Sequence, residues 1–99
     1  MMQFEWTVPP DHPSLAGHFP GHPILPGVVL LDRLQLGLKA ADIGVNEISN
    51  AKFSSPARPG ETLSFSAQPQ SAGGLSFRID CGERNIASGT LRIETAGAQ

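Results

Sequence analysis

The chain has 99 residues, of which 39% are hydrophobic and 16% charged, and this predicts one globular domain over residues 1–99, because so short a chain has no room for a second core. Its formal net charge of −2 at pH 7, with no cluster of Lys or Arg, argues against a protein that binds nucleic acid. Cys81 is the only cysteine, so we expect no internal disulfide. No apolar run reaches the roughly 20 residues of a membrane span, and the first residues lack a signal-peptide pattern. We therefore expect a cytoplasmic protein without a membrane segment.

The first predicted element is a short strand. Residues 4–8 alternate apolar and polar side chains, and Pro9-Pro10 end the pattern. Residues 9–27 then hold six prolines and three glycines. No regular element continues through so many breakers, so we expect an ordered, conformationally restricted loop.

The second predicted element is a helix that opens at Pro26-Gly27, runs to about residue 41 or 42 and is closed by Gly44. Apolar side chains cover most of its circumference, which predicts a central helix buried in the fold. Its polar positions form one narrow stripe, spaced i, i+3 and i+7: Asp32, Gln35 and Lys39.

The remaining chain has the pattern of strands. Residues 48–53 precede a Pro/Gly-rich loop, and three further segments alternate with a period of two and are joined by turns, which predicts an antiparallel meander with one buried face. The predicted inward side chains are Leu63, Phe65, Ala67, Leu75, Phe77, Ile79, Cys81, Ala87, Gly89, Leu91 and Ile93. Such a sheet and an apolar helix bury each other when the sheet curls around the helix. Residues 94–99 are expected to be a frayed tail.

One motif stands out in the loop and the start of the helix. His18-Phe19-Pro20-Gly21 is followed by Pro23, then by Pro26-Gly27, and then by Asp32 in the helix. The motif resembles the active-site signature of the β-hydroxyacyl-acyl-carrier-protein dehydratases, and in particular their compact polyene-pathway forms. The resemblance continues through residues 50–53, 56, 59–63 and 87–91. It implies an α+β hotdog fold, a curved antiparallel sheet wrapped around one long central helix.

The resemblance also implies an activity that needs no cofactor. The expected enzyme is a lyase that dehydrates (3R)-hydroxyacyl-carrier-protein thioesters to trans-2-enoyl thioesters, in fatty-acid or polyene-type lipid biosynthesis. His18 is the natural base, because an imidazole is substantially neutral at pH 7. Asp32 would protonate the departing hydroxyl or hold a water that does, and its apolar neighbours would favour the protonated form. The amide of Gly27, free at the helix start, would stabilise the thioester oxygen.

Further residues are expected to contact the substrate or to orient the acid. The substrate contacts are Phe19, Pro26, Val28 and Phe53. Relatives often place a Gln four positions after the acid, where this chain has Leu36, so Gln35 at i+3 is the candidate that orients Asp32. The resemblance implies that each site is built from two subunits. The expected partners are therefore a pantetheine-linked acyl substrate and a second chain. The second chain would form a homodimer, a higher oligomer or a complex with a homologous subunit.

Other interpretations remain open at this point. His18 and His22 are four residues apart, but no Cys or second carboxylate joins them at metal-site spacing, so no metal site is predicted. Cys81 is expected to be a small core residue. The alternatives for function are a hotdog acyl thioesterase, and a structural subunit that contributes half of a site in a hetero-oligomeric dehydratase.

Overall fold

The computed structural model describes residues 2–10, 25–70 and 73–93. Its elements in chain order are β1 (Met2–Thr7), α1 (Gly27–Ala40), β2 (Val45–Phe53), β3 (Thr62–Gln70), β4 (Gly74–Cys81) and β5 (Arg84–Ile93). The five strands form one antiparallel sheet in the order β1-β3-β4-β5-β2. The predicted meander is β3-β4-β5. Strands β1 and β2 flank the meander and form the two edges of the sheet. No helix of the described ranges is long and apolar enough to cross a membrane.

The core lies between one face of the sheet and one stripe of the helix. Period-two alternation directs large apolar side chains of the meander to the same face, where each is almost fully buried: Leu63, Phe65, Leu75, Phe77, Ile79 and Leu91. The helix contributes three buried leucines at i, i+4 and i+8: Leu30, Leu34 and Leu38. This spacing places the three leucines on one side of a helix, so α1 packs on the sheet through a single stripe.

Strand β1 packs against the C-terminal half of the helix, where its Phe4 also stacks on Phe65. The rings of Phe4 and Phe65 stack with centroids 4.7 Å apart and planes 7° apart. Phe4 also lies against the backbone of Gly37, where any added Cβ would collide with the ring. The glycine therefore lets the ring reach the helix, and this contact sets how closely β1 and α1 approach.

The helix differs from its prediction in burial and in its end. Val28 is 64% exposed and Leu36 is 56% exposed, so the expectation of a helix buried all round was wrong for this chain on its own. The sheet covers one stripe, and the opposite side of the helix faces outward. The helix stops at Ala40, and the residue that takes the left-handed conformation is Asp42 (φ 66°), not Gly44. Asp tolerates this conformation because its short polar side chain can bond locally.

Strand β5 departs from simple alternation at its start. Strict alternation with the inward Ala87 would direct Ile86 outward, yet both residues are fully buried. The register between β4 and β5 shifts between Ile79 and Asp80, and such an irregularity turns two successive side chains toward the core. Cys81, expected to be a small core residue, is partly buried and packs against the core.

Candidate active site

The candidate acid stands on the side of the helix that faces away from the sheet. At 100° per residue, Asp32 lies about 160° around the helix axis from the fully buried Leu34. Asp32 is exposed, and with Gln35, Leu36 and Lys39 it lines a surface depression of about 380 Å³. The polar stripe predicted from spacing is therefore formed. The apolar surroundings expected for Asp32 are not supplied by the described part of this chain.

At the start of the helix, two backbone amides have no acceptor among the described residues. Pro26 is the N-cap, with φ −61° and ψ 144°, and no side chain of the described residues caps the first turn. The Val29 amide donates to the Pro26 carbonyl at 3.0 Å, whereas no hydrogen bond among the described residues uses the amide of Gly27 or Val28. Amides in this position carry partial positive charge, so the helix start can accept an oxyanion.

Phe53 closes over the helix start. A Cβ built on Gly27 would lie 2.8 Å from Cζ and 2.9 Å from Cε1 of the Phe53 ring, which is closer than carbon atoms pack. The motif suggests one reason for a glycine at position 27, which is that a thioester oxygen must approach its amide. The structure adds a second reason, because the last residue of β2 occupies the space that a side chain would need. Phe53 and Gly27, both predicted site residues, are therefore in contact.

Three large apolar side chains around these groups are uncovered. Val28, Leu36 and Phe53 are 64%, 56% and 48% exposed; we call them the exposed apolar set. A second depression of about 390 Å³ continues on the other side of Leu36, between α1 and β1, where Phe4, Arg33 and Gly37 contribute to its wall. There the Arg33 guanidinium lies 5.1 Å from the ring centroid of Trp6. The exposed set gives an acyl chain or a second protein apolar surface to bury.

The predicted site residues divide into those that the structure places and those that it does not. His18, Phe19 and His22 lie outside the described residues. Pro26 and Gly27 lie at the helix start, and Val28, Asp32 and Gln35 follow on the outward side of the helix. Gln35 and Asp32 line the same depression, but no hydrogen bond joins them in the described ranges; the orienting role of Gln35 stays a prediction. Within the same ranges, no group of three or more His, Cys, Asp and Glu side chains could hold a metal ion.

One ion pair, between Glu61 and Arg84, was missed by sequence reasoning. Nη2 of Arg84 lies 2.8 Å from each carboxylate oxygen of Glu61 and 3.2 Å from the Pro56 carbonyl oxygen. Partial burial raises the pKa of Glu61, but Arg84 and the Arg58 amide, which donates to Oε1 at 2.8 Å, outweigh it and hold that pKa below its usual value. Since 23 residues separate the partners, no local pattern indicated the pair.

Comparison with known proteins identifies the family. A family model described as ApeI-like, ApeI dehydratase, matches residues 1–90. The 3-hydroxyacyl-[acyl-carrier-protein] dehydratase FabZ of Wolbachia sp. subsp. Drosophila simulans (strain wRi) is 35% identical over 95 residues, which cover 82% of this chain and 66% of that protein. The chain thus spans just under two thirds of the length of this relative.

Solved structures agree on the fold. A chain of the dehydratase heterocomplex ApeI:P from Xenorhabdus doucetiae superposes with a TM-score of 0.78 at 26% identity, covering 92% of this chain and 84% of that one. A variant of the fluoroacetyl-CoA-specific thioesterase FlK reaches a TM-score of 0.67 at 18% identity, covering 97% of this chain and 90% of that one, and shows likeness of the fold alone. The predicted hotdog fold is confirmed. The chain belongs to the ApeI-like dehydratase family, as its motif predicted.

Proposed function

We propose that this protein dehydrates 3-hydroxyacyl thioesters carried on an acyl carrier protein, giving trans-2-enoyl thioesters for fatty-acid or polyene-type lipid biosynthesis. The observation that carries the proposal is the placement of Asp32 beside the exposed Val28 and Leu36 on the outward side of a helix whose first amide, that of Gly27, has no acceptor among the described residues, in a chain of a dehydratase family. The named activity of the FabZ relative is the same reaction class.

The chemistry is a 1,2-elimination. His18, assigned from the sequence motif, takes a proton from C2 of the substrate, and the electron pair that is released forms the C2=C3 double bond. The C3 hydroxyl leaves with a proton from Asp32, directly or through a water, so that one water is produced for each enoyl thioester. The Gly27 amide donates to the thioester oxygen while negative charge develops there. Such a donor typically contributes about 2.7–4 kcal/mol to the stabilisation of the transition state.

We propose that a second chain completes the site. Asp32 is exposed in the single chain, so the described part of this chain does not by itself exclude water from the reacting groups. Covering the exposed Val28 and Leu36 with an apolar surface would remove water from around Asp32. The partner is either a second copy of this chain or a homologous subunit. The structural neighbour ApeI:P is itself a heterocomplex, so we consider both kinds of partner.

Two alternatives are distinguished by product and by partner. The likeness to a thioesterase extends to the fold, and a thioesterase would release free thiol without forming an enoyl group. A subunit that only supports a homologous chain would be inactive alone and would tolerate loss of its own His18. The proposal includes a cytoplasmic location, because carrier-protein substrates are made there.

The experiment is a dehydration assay on the purified chain and on any complex that co-purifies with it. A 3-hydroxyacyl-carrier-protein thioester is supplied, and the conjugated enoyl thioester is followed by ultraviolet absorbance and mass spectrometry, with free thiol measured in parallel. We expect enoyl product without thiol release. The proposal is wrong if thiol appears without the enoyl product, or if no preparation turns over the substrate. His18→Ala in the active preparation identifies a support subunit if the rate is unchanged.

A further inference from the structure

The loop between β2 and β3 (residues 54–61, here the β2–β3 loop) is fastened to strand β5 by charge and by backbone. The Glu61–Arg84 pair closes its end, and the same guanidinium holds the Pro56 carbonyl. At its start, the amides of Ser54 and Ser55 donate to the Ile86 carbonyl at 2.8 and 3.3 Å. The loop therefore has little freedom to move away from the sheet.

The start of the helix is fastened to this loop. Ala57, fully buried at the centre of the loop, accepts a 2.8 Å hydrogen bond at its carbonyl from the amide of Leu25. Leu25 is itself only 4% exposed and is followed directly by Pro26, whose ring fixes its own backbone angle, and by Gly27. Gly27 thus lies two residues along the chain from Leu25, the residue that the Ala57 carbonyl holds.

The β2–β3 loop is also hydrogen-bonded to Val8, the residue that follows β1. The Val8 amide donates to the Glu61 carbonyl, and the Gly60 amide donates to the Val8 carbonyl, both at 2.8 Å. Val8 is fully buried. The same loop therefore anchors the chain at Val8 and at Leu25, the described positions on either side of the sequence that contains the His18 motif.

We propose that Glu61 and Arg84 are positioning residues for the reaction: by fixing the β2–β3 loop, they hold the Ala57 carbonyl where it sets the Leu25 amide and, through it, the Gly27 amide at the helix start. This proposal rests on the proposed function, because it names residues that act on the oxyanion contact of that reaction. Neither residue lies among the site residues on the helix, and both act through the loop.

The physical argument is one of rigidity. The carboxylate of Glu61 accepts from Arg84 and from the Arg58 amide at once, and charge-assisted bonds of this length are stronger than neutral ones. Glu61→Gln keeps the shape of the side chain but removes the charge and one acceptor oxygen. The loop then loses its closing contact, and an amide that is misplaced by a fraction of an ångström stabilises the transition state less well.

The experiment compares the Glu61–Arg84 pair with a matched pair in the same sheet. Arg78 and Asp80 also form an ion pair, at 3.1 Å, but on the outside of β4. Glu61→Gln is compared with Asp80→Asn, and Arg84→Gln with Arg78→Gln, in the preparation that shows dehydration. Hydrogen–deuterium exchange at the amides of Leu25 and Val8 is measured in each variant, together with kcat and KM.

We expect faster exchange at Leu25 and Val8 in Glu61→Gln and Arg84→Gln, with kcat about tenfold lower and KM within about twofold of the unaltered value. The two control variants should change neither exchange nor kcat. Arg84→Lys keeps the charge and should fall between Arg84→Gln and the unaltered protein, and it replaces Arg84→Gln if that variant fails to fold. Unchanged exchange at Leu25 in folded Glu61→Gln would overturn the proposal, as would an equal loss of kcat in Asp80→Asn. Because exchange is measured without substrate, it tests the anchor even if the dehydration assay fails.

Discussion

Gly27→Ala tests the arrangement at the helix start most sharply. The added methyl would lie 2.8 Å from Cζ of Phe53, and carbon atoms pack at about 3.5–4.0 Å, so the ring must retreat by about 1 Å. Overpacking costs about 1–3 kcal/mol in a closed core. Because Phe53 is 48% exposed, its ring can turn outward, which favours the low end of that range.

The expected change in stability is therefore small and the change in activity large. Replacing Gly by Ala in a helix recovers up to about 1 kcal/mol of helix propensity, so the free energy of unfolding should fall by about 1 kcal/mol or less. If the Gly27 amide is the oxyanion donor, the methyl added beside it should obstruct the close approach of the thioester oxygen and lower kcat by about 10²-fold. Urea unfolding and the enoyl assay measure the two quantities on the same protein.

The double variant Gly27→Ala/Phe53→Ala shows whether the ring is the cause. Without the ring, the added methyl meets no obstacle, so the stability cost of Gly27→Ala should vanish in the Phe53→Ala background. A coupling free energy of about 0.5–1 kcal/mol is expected between residues in such contact. Additive effects of the two substitutions on stability would refute the reasoning, because they would mean that Phe53 does not pack on Gly27.

Three further outcomes follow from burial and charge. Leu34→Ala, which empties a fully buried position of the helix stripe, should lower the free energy of unfolding by about 2–5 kcal/mol, measured by urea denaturation. Asp32→Asn, at an exposed position, should change stability by no more than about 0.5 kcal/mol while abolishing most of kcat; a large loss of stability would show that Asp32 has a structural role. The pKa of Glu61 is lowered from its ordinary value of 4.5 by Arg84 and the Arg58 amide against the effect of burial, so its carboxylate adds stability at pH values above 4.5 that is lost as the pH falls through the lowered value. Unfolding at a series of acid pH values should accordingly show a shallower acid loss in Glu61→Gln than in the unaltered protein, and identical slopes would contradict this assignment.

The sheet was the part of the fold that the sequence predicted best. Alternation over Leu63, Phe65 and Ala67 identified the buried face of β3, because one side of the strand faces the core and the other faces solvent. Ile86 could not be placed in this way, since the irregular register beside it depends on pairing with another strand. The edge positions of β1 and β2 likewise depend on which strands pair, which composition alone does not determine.

The helix shows a different limit. Its apolar circumference correctly indicated that surface must be buried, but the pattern does not say whether the cover belongs to the same chain. Leu34 is covered by the sheet of this chain, while Val28 and Leu36 are exposed in it. The motif predicted site residues at the helix start, and the structure brings two of the predicted residues, Gly27 and Phe53, together. The Glu61–Arg84 pair was not predictable, because it joins residues that approach each other only in the folded sheet.

Subunit complementation tests the central claim, a dehydratase site shared between two chains, most directly. His18→Ala and Asp32→Asn are purified separately, unfolded together and allowed to reassociate, and enoyl formation is measured. If each site takes His18 from one chain and Asp32 from the other, half of the dimers are mixed and each carries one intact site, so about a quarter of the unaltered activity should return. A mixture no more active than the separate variants would contradict a site shared between two copies of this chain.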